Sequence, residues 1–163
     1  TEKPWISDAE IVVAGAGIAG LAFALSIHAQ CAAVGAMGPR ITIYEKEGST
    51  EERQNQGYSL SLRHWGHGMT GGGMETIERL GLTQSIMPRV CPGHSFTIAT
   101  PTVPLFFVDL SKDPTNTIRI THAALRQTLL EALPASVQVV WGSGVQSAQP
   151  QPSIEGDGVE VRV

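Results

Sequence analysis

Three glycines near the start of the chain have the spacing of a phosphate-binding turn. The segment "IVVAGAGIAGLAFAL" places Gly15, Gly17 and Gly20 in a G-x-G-x-x-G pattern. In such a turn, Gly15 permits the tight bend, Gly17 lets phosphates approach the backbone, and Gly20 lets a helix pack close to a strand. The free N–H groups at the helix start then face a pyrophosphate. We predict that this turn binds a dinucleotide; the alternative is a turn used only for packing.

An acidic residue lies where the second strand of a dinucleotide-binding unit would end. The carboxylate of Glu45 can accept hydrogen bonds from a ribose. It would also repel the 2′-phosphate of NADP, which leaves NAD and FAD as open candidates. Lys46 follows directly and is a candidate for a phosphate or sugar contact, with a solvated lysine as the alternative.

Apolar patterns predict the elements that hold this turn. They indicate a buried strand over 11–14, a helix over 18–33 and a second strand over 40–45. A strand, a helix and a strand in this order form a right-handed β-α-β unit with parallel strands. Because the glycine motif follows a strand and opens a helix, its context supports nucleotide binding.

The remaining chain is predicted to carry smaller elements after the β-α-β unit at 9–46. We expect a loop, a strand and a short helix over 47–87, with Gly81 as the C-cap of that helix. Antiparallel strands are expected in a β-rich segment over 94–120. Residues 121–163 are expected to form a helix over 122–133, capped at its start by Thr121 and stopped by Pro134. A buried strand over 137–141 and further strands are expected to follow. The final segment, "GVEVRV", alternates like a strand that needs a partner, so we expect the sequence to be a fragment of a longer protein.

Composition excludes several classes of function. The chain has 163 residues, of which 42% are hydrophobic, and this suits one globular domain with a real core. Its net charge of −4, without blocks of like charge, argues against nucleic acid and anionic membranes as partners. No stretch is long and apolar enough to cross a bilayer. Cys31 and Cys91 lack metal-ligand spacing, which predicts free thiols and a cytoplasmic location.

No residue pattern in the chain indicates catalysis by a side chain. None of the five histidines has a carboxylate partner at a recognisable spacing. His64 and His67 flank a glycine in a glycine-rich stretch and do not by themselves make a metal site. We therefore predict no catalytic residue and no metal site in this chain.

Several short segments, taken in order, resemble one known family. The segments are "GAGIAGL", "YEK", "QGYSLSLR", "RLGL" and "ITHAALRQTLLEAL". Together they resemble the N-terminal part of the FAD-dependent aromatic-hydroxylase family, the single-component (class A) flavin monooxygenases, over most of residues 9–145. The resemblance implies an α/β fold: a Rossmann-like FAD-binding β-α-β domain with additional antiparallel strands, incomplete at its C-terminus.

The resemblance also implies a cofactor, a reaction and partners. Gly15, Gly17 and Gly20 would hold the pyrophosphate of FAD, and Glu45 its adenosine ribose. NADPH or NADH would act as a transient reductant, and O₂ would oxygenate a small organic substrate, aromatic or similar to a natural product. The missing C-terminal part of the same protein would be a required partner.

Further expected contacts with FAD involve a loop glycine and one helix. Gly57 matches a glycine of a loop near the flavin, and Arg126 lies on a helix that contacts FAD in the family. The family's arginine usually stands four residues earlier, where this chain has His122. His122 and Arg126 share a helix face, so both are candidates.

The sequence departs from the family in two other ways. Glycines 71–73, in the segment "MTGGG", form an apparent insertion. The family's later Asp-Gly and Gly-Asp motifs are missing, and we interpret the similar dipeptides of "EGDGVEV" as a hairpin turn. Two other functions stay open: an NAD-dependent oxidoreductase domain, and a non-catalytic or inactive truncated module.

Overall fold

A computed structural model describes residues 9–48, 59–63, 72–92, 95–109, 117–153 and 156–163. The chain divides into two compact units, one of Thr1–Gln54 with Leu129–Val163 and the other of Asn55–Thr128. The elements in chain order are β1 (Glu10–Ala14), α1 (Ile18–Ala33), β2 (Arg40–Glu45), β3 (Ser59–Arg63), α2 (Gly73–Arg79), α3 (Thr83–Ile86), a 3-10 turn (Met87–Arg89), β4 (Cys91–Pro92), β5 (Ser95–Ala99), β6 (Pro104–Asp109), β7 (Thr117–Thr121), α4 (His122–Glu131), β8 (Val137–Trp141), β9 (Ser147–Ser153) and β10 (Gly156–Arg162).

The first unit contains a parallel sheet with the strand order β1-β2-β8. Ile11 lies opposite Ile41, and Ile43 lies opposite Val139. The predicted β-α-β unit with parallel strands is therefore confirmed, and α1 has the predicted limits. The fold is mixed α/β, as expected.

Glycines mark both ends of α1. Gly17 is the N-cap and has extended backbone angles, and no side chain caps the helix there. At the other end, Gly35 has a φ of 70°, a left-handed conformation that glycine adopts without strain. Gly35 donates a hydrogen bond to the carbonyl of Ala32 at 3.0 Å, and this satisfies one of the last helical carbonyls.

An antiparallel hairpin of β9 and β10 completes the first unit. Asp157 lies opposite Pro152, and Gly158 lies opposite Gln151. These two residues therefore belong to the strand, so their interpretation as a hairpin turn was wrong. The reason is that the strand pairing already begins at Gly156, before the Asp-Gly dipeptide.

The second unit is built on a three-stranded antiparallel sheet with β7 between β3 and β4. One face of this sheet carries the buried side chains of Leu62, Ile118 and Ile120. The helix α2 packs on this face, since a Cβ added at Gly73 would lie 2.7 Å from Cδ2 of Leu62. β5 and β6 form a separate antiparallel pair, which confirms the antiparallel strands predicted here.

Local signals for two helix ends are also confirmed. Gly81, predicted as a C-cap, follows α2 with a φ of 70°. Thr121 caps α4, because its Oγ1 accepts a hydrogen bond from the backbone N–H of Ala124 at 3.1 Å. α4 ends at Glu131, before the position that the apolar pattern indicated. The proline at 134 disfavours helical angles in the residue before it, which shortens the helix.

None of the helices in the described ranges has the length and hydrophobicity needed to cross a membrane.

Candidate functional site

The glycine-rich turn connects β1 to α1 in the conformation that its motif predicts. Gly15 has a φ of 98°, a left-handed conformation that side chains disfavour. Its N–H donates a hydrogen bond to the carbonyl of Tyr44 at 2.8 Å, which ties the turn to β2. A Cβ added at Gly15 or Gly17 would meet nothing within 4 Å, so space is open over both residues.

Gly20 has a different role from the other two glycines. A Cβ at this position would lie 2.2 Å from the carbonyl oxygen of Gly15 and 3.1 Å from Cγ1 of Val13. Both distances are shorter than van der Waals contact, and the first is a severe overlap. The absence of a side chain at Gly20 is therefore what allows α1 to lie directly against β1 and the turn.

The start of α1 is electrostatically suited to an anion. The first helical N–H groups have no intrahelical acceptor, and no side chain caps them. The first turn contains no acidic residue that would compensate the positive end of the helix dipole. Together with the open space over Gly15 and Gly17, these features fit a phosphate group.

Glu45 joins the glycine-rich turn to the end of β2. Its side chain is buried, with 5% exposure. Oε2 accepts a hydrogen bond from the backbone N–H of Ala16 at 2.9 Å, and Oε1 accepts one from the backbone N–H of Glu47 at 3.1 Å. A carboxylate accepts hydrogen bonds at both of its oxygens, which is what ribose hydroxyls require of a partner.

A cavity of about 340 Å³ lies beside these residues. It is lined by Ala14, Gly15, Tyr44, Glu45, Lys46, Gly144 and Val145. Residues at the carboxyl ends of β1 and β2 therefore meet in one concave site. The crevice outside the carboxyl ends of parallel strands is where open α/β sheets bind ligands.

The segment after β8 forms a wall of this cavity that the sequence analysis did not identify. Ser143 donates a backbone hydrogen bond to the carbonyl of Glu45 at 2.8 Å, and Gly142 donates one to the carbonyl of Glu47 at 3.0 Å. A Cβ at Gly144 would lie 2.9 Å from Cβ of Lys46, so the two segments are in close contact. The signal in the sequence was a Gly-Ser-Gly segment directly after a predicted buried strand.

The predicted site residues fall into both units. Gly15, Gly17, Gly20, Glu45 and Lys46 come together in the first unit, around the cavity and the start of α1. His122 and Arg126 belong to the second unit, and their contacts with a cofactor remain predictions. Gly57 lies outside the described residues, and its role also remains a prediction.

The two candidates on α4 differ in burial. His122 is half-buried, whereas Arg126 is buried with 3% exposure. They lie one helical turn apart on α4. The described part of the "MTGGG" segment begins α2, with Gly72 as its N-cap; glycine 71 lies outside the described residues.

Within the ranges that the structure describes, no group of three or more His, Cys, Asp and Glu residues could hold a metal ion. Cys31 is buried, Cys91 is exposed, and both are free thiols, as the sequence predicted.

Comparison with known proteins supports the resemblance drawn from the motifs. No family model matches the chain. The chain is 32% identical over 151 residues to monooxygenase cfoF of Aspergillus candidus. The aligned region covers 86% of this chain and 35% of that protein. The chain therefore spans about a third of the length of this curated relative.

Solved structures of flavoproteins have a similar fold. A probable FAD-dependent monooxygenase of Pseudomonas aeruginosa, pqsL, matches with a TM-score of 0.63 and 17% identity, over 87% of this chain and 35% of its own. 2-Methyl-3-hydroxypyridine-5-carboxylic acid oxygenase matches with a TM-score of 0.64 and 18% identity, over 85% of this chain and 32% of its own. CtdE in complex with FAD matches with a TM-score of 0.60 and 16% identity, over 94% of this chain and 34% of its own. This chain resembles the N-terminal part of FAD-dependent monooxygenases.

Proposed function

We propose that this chain is the FAD-binding portion of a flavin-dependent monooxygenase. The observation that carries the proposal is the contact of Glu45 with the glycine-rich turn, at the edge of a cavity of about 340 Å³. A glycine-rich turn that leads into a helix start without a side-chain cap, next to a carboxylate at the end of the second strand, is the arrangement that a Rossmann-type domain uses for a dinucleotide. The similarity to a curated monooxygenase and to an FAD complex favours FAD as this dinucleotide.

Each candidate site residue has a defined role in this proposal. The N–H groups at the start of α1, made accessible by Gly15 and Gly17, bind the pyrophosphate. Gly20 holds the helix against the strand, and Glu45 accepts hydrogen bonds from the adenosine ribose. Lys46 lines the cavity next to Glu45 and contacts sugar or phosphate from there. His122, Arg126 and Gly57 contact the parts of FAD beyond the ADP.

FAD, when bound, supplies the electron transfer and oxygen activation of the reaction. The contribution of this chain is to bind and orient the ADP half of the cofactor. No side chain of this chain is assigned a catalytic role. The whole protein uses NADPH or NADH and O₂ to oxygenate a small organic substrate, and it does so in the cytoplasm. Its remaining part completes the flavin and substrate sites.

The sheet topology argues against an NAD-dependent oxidoreductase domain. Such a domain adds a second β-α-β repeat directly after the first. Here the third strand of the described parallel sheet is β8. Five strands, β3 to β7, intervene in the chain between β2 and β8 and form only antiparallel pairs among the described residues. The long excursion between parallel strands fits the FAD proposal better.

The identity of the bound dinucleotide tests the proposal. The full-length protein is purified without added cofactor, its ligand is released by denaturation, and the ligand mass is measured. We expect a yellow protein that releases FAD. Release of NAD in place of FAD would overturn the proposal.

A titration distinguishes this function from that of a non-catalytic module. The full-length protein, stripped of ligand, is titrated with FAD and, separately, with NAD. Tight stoichiometric binding of FAD alone supports the proposal. A folded protein that binds neither dinucleotide would point to a module without a cofactor.

A further inference from the structure

A second polar surface lies in the other unit, on the three-stranded sheet of β3, β7 and β4. Ser61 lies opposite Arg119, and Arg119 lies opposite Cys91, so these three residues form one row across the sheet. Ser59 and Thr121 form the neighbouring row on the same face. All five residues are exposed, and we call this surface the Arg119 face.

The strand register determines that these side chains point outward. Leu62, Ile118 and Ile120 alternate with them along β3 and β7 and are buried on the opposite face. Because side chains of a strand alternate between two faces, burying these three residues places the polar residues on the outer face. The Arg119 face is therefore held by the core of the second unit.

Three exposed arginines of the described chain have a carboxylate partner, whereas Arg119 has a hydroxyl partner. Arg40 pairs with Glu10, Arg79 pairs with Glu75 at 2.6 Å, and Arg162 lies 3.7 Å from Glu160. Arg119 instead donates a hydrogen bond from Nη2 to the hydroxyl of Ser59 at 2.6 Å.

The charge of Arg119 is not neutralised within its face. No carboxylate of the described residues lies within ion-pair distance of Arg119, and its hydrogen bond to Ser59 leaves further N–H donors of the guanidinium available. The surrounding side chains are hydroxyls and a thiol, which do not repel an anion. In a chain with a net charge of −4, this is a local cationic site.

We propose that the Arg119 face binds the oxyanion group of a small molecule, either a carboxylate or a phosphate. A guanidinium presents parallel N–H donors that match two oxygens of such a group. The hydroxyl of Ser61, directly across from Arg119, adds a neutral donor beside it. The site lies within the second unit and does not depend on FAD binding at the first.

Titration with simple anions tests this site directly. The isotope-labelled protein, at low ionic strength to limit screening, is titrated with inorganic phosphate, benzoate and the neutral benzamide. The signals followed are the arginine Nε–Hε groups and the backbone amides of β3 and β7. We expect saturable shifts at Arg119 with phosphate and benzoate, and none with benzamide.

Two variants show whether the guanidinium is responsible. Arg119→Gln is expected to weaken the binding of phosphate and benzoate by about tenfold or more. Arg162→Gln, a matched change at an exposed arginine that pairs with Glu160, should leave the binding unchanged. Circular dichroism melts check that both variants fold. Arg119→Lys keeps the charge but loses the planar pair of donors, so it should bind benzoate less well than the unchanged protein.

Equal binding of phosphate by the unchanged protein and by Arg119→Gln would overturn the proposal. Equal shifts with benzamide and benzoate would do the same, because the site would then not recognise charge. Neither result would bear on the FAD proposal, since the titration needs no cofactor.

Kinetics of the full-length holoenzyme identify the source of the oxyanion. If it is the 2′-phosphate of NADPH, Arg119→Gln raises KM for NADPH but not for NADH. If it is a substrate carboxylate, the variant raises KM for carboxylate-bearing aromatic substrates and leaves the preference between the two reductants unchanged. An unchanged KM for all of these compounds would overturn the proposal for the complete protein.

Discussion

Oε2 of Glu45 accepts a hydrogen bond from the backbone N–H of Ala16 at 2.9 Å. This bond joins the end of β2 to the glycine-rich turn after β1, two segments far apart in sequence. The second oxygen of the same carboxylate holds the N–H of Glu47. One buried side chain therefore stabilises both walls of the proposed nucleotide site before any ligand binds.

Replacing Glu45 by glutamine should weaken both the fold and nucleotide binding. The amide oxygen can accept from one N–H, but the amide NH₂ would face the other N–H donor. Leaving a buried donor without an acceptor costs about 1–3 kcal/mol of unfolding free energy. We expect FAD affinity to fall by about tenfold for each ribose hydrogen bond lost. Denaturant unfolding and FAD titration measure the two effects.

The matched control for this change is Glu160→Gln. Glu160 is exposed and lies on β10, so its replacement should alter neither stability nor FAD affinity measurably. If Glu45→Gln behaves like this control in both measurements, the assigned role of Glu45 is wrong.

Alanine at Gly20 and at Gly17 should separate packing from ligand binding. At Gly20 the new Cβ would overlap the carbonyl of Gly15, at 2.2 Å, so the helix must move. Overpacking of this kind costs about 1–3 kcal/mol, and we expect FAD affinity to fall as well.

Gly17→Ala is the counterpart without a clash, since nothing lies within 4 Å of its Cβ. We expect its thermal unfolding to stay near that of the unchanged protein while FAD affinity falls, because the methyl group occupies the approach of the phosphates. Unchanged FAD affinity in Gly17→Ala would contradict the placement of the pyrophosphate over this turn.

A substitution after β8 should test the wall of the cavity that the tertiary structure revealed. Gly144→Ala places a Cβ 2.9 Å from Cβ of Lys46, and the segment must shift away from β2. We expect weaker FAD binding, measured by fluorescence titration, with a smaller loss of stability than for Gly20→Ala. The reason is that this overlap is smaller than the one at Gly20, where the new Cβ would lie 2.2 Å from a carbonyl oxygen.

A double-mutant cycle measures whether Gly144 and Lys46 affect FAD binding through their contact. Lys46→Gly removes the Cβ that the new methyl group would meet, so Gly144→Ala should cost less in the Lys46→Gly background. Additive losses of FAD affinity would indicate that the two residues do not act through this contact.

The helix cap at Thr121 should contribute to the stability of the chain. Its Oγ1 accepts the N–H of Ala124, and removing such a cap in Thr121→Ala costs about 1 kcal/mol. Thr121→Ser keeps the oxygen and should retain most of this stability. Chemical denaturation of both variants measures the difference; equal losses in the two would show that the methyl group, and not the cap, matters.

Local structure was largely predictable from the sequence. α1, β2 and β8 have the limits that their apolar patterns indicated, and the caps at Thr121 and Gly81 lie where expected. These features depend on residues close together in the chain, such as side-chain periodicity, a hydroxyl before a helix or a glycine after one. The Asp157–Gly158 dipeptide failed as a turn signal because the pairing of β9 with β10 extends past it.

The sequence by itself determined the glycine motif, the acidic residue at the end of β2 and the elements that carry them. Only the tertiary structure decided that β8 pairs with β2, and that the segment after β8 therefore forms a wall of the same cavity. It also decided that the carboxylate of Glu45 contacts Ala16. The physical reason is that periodicity records which face of an element is buried, whereas the choice between possible strand partners depends on how the whole chain packs.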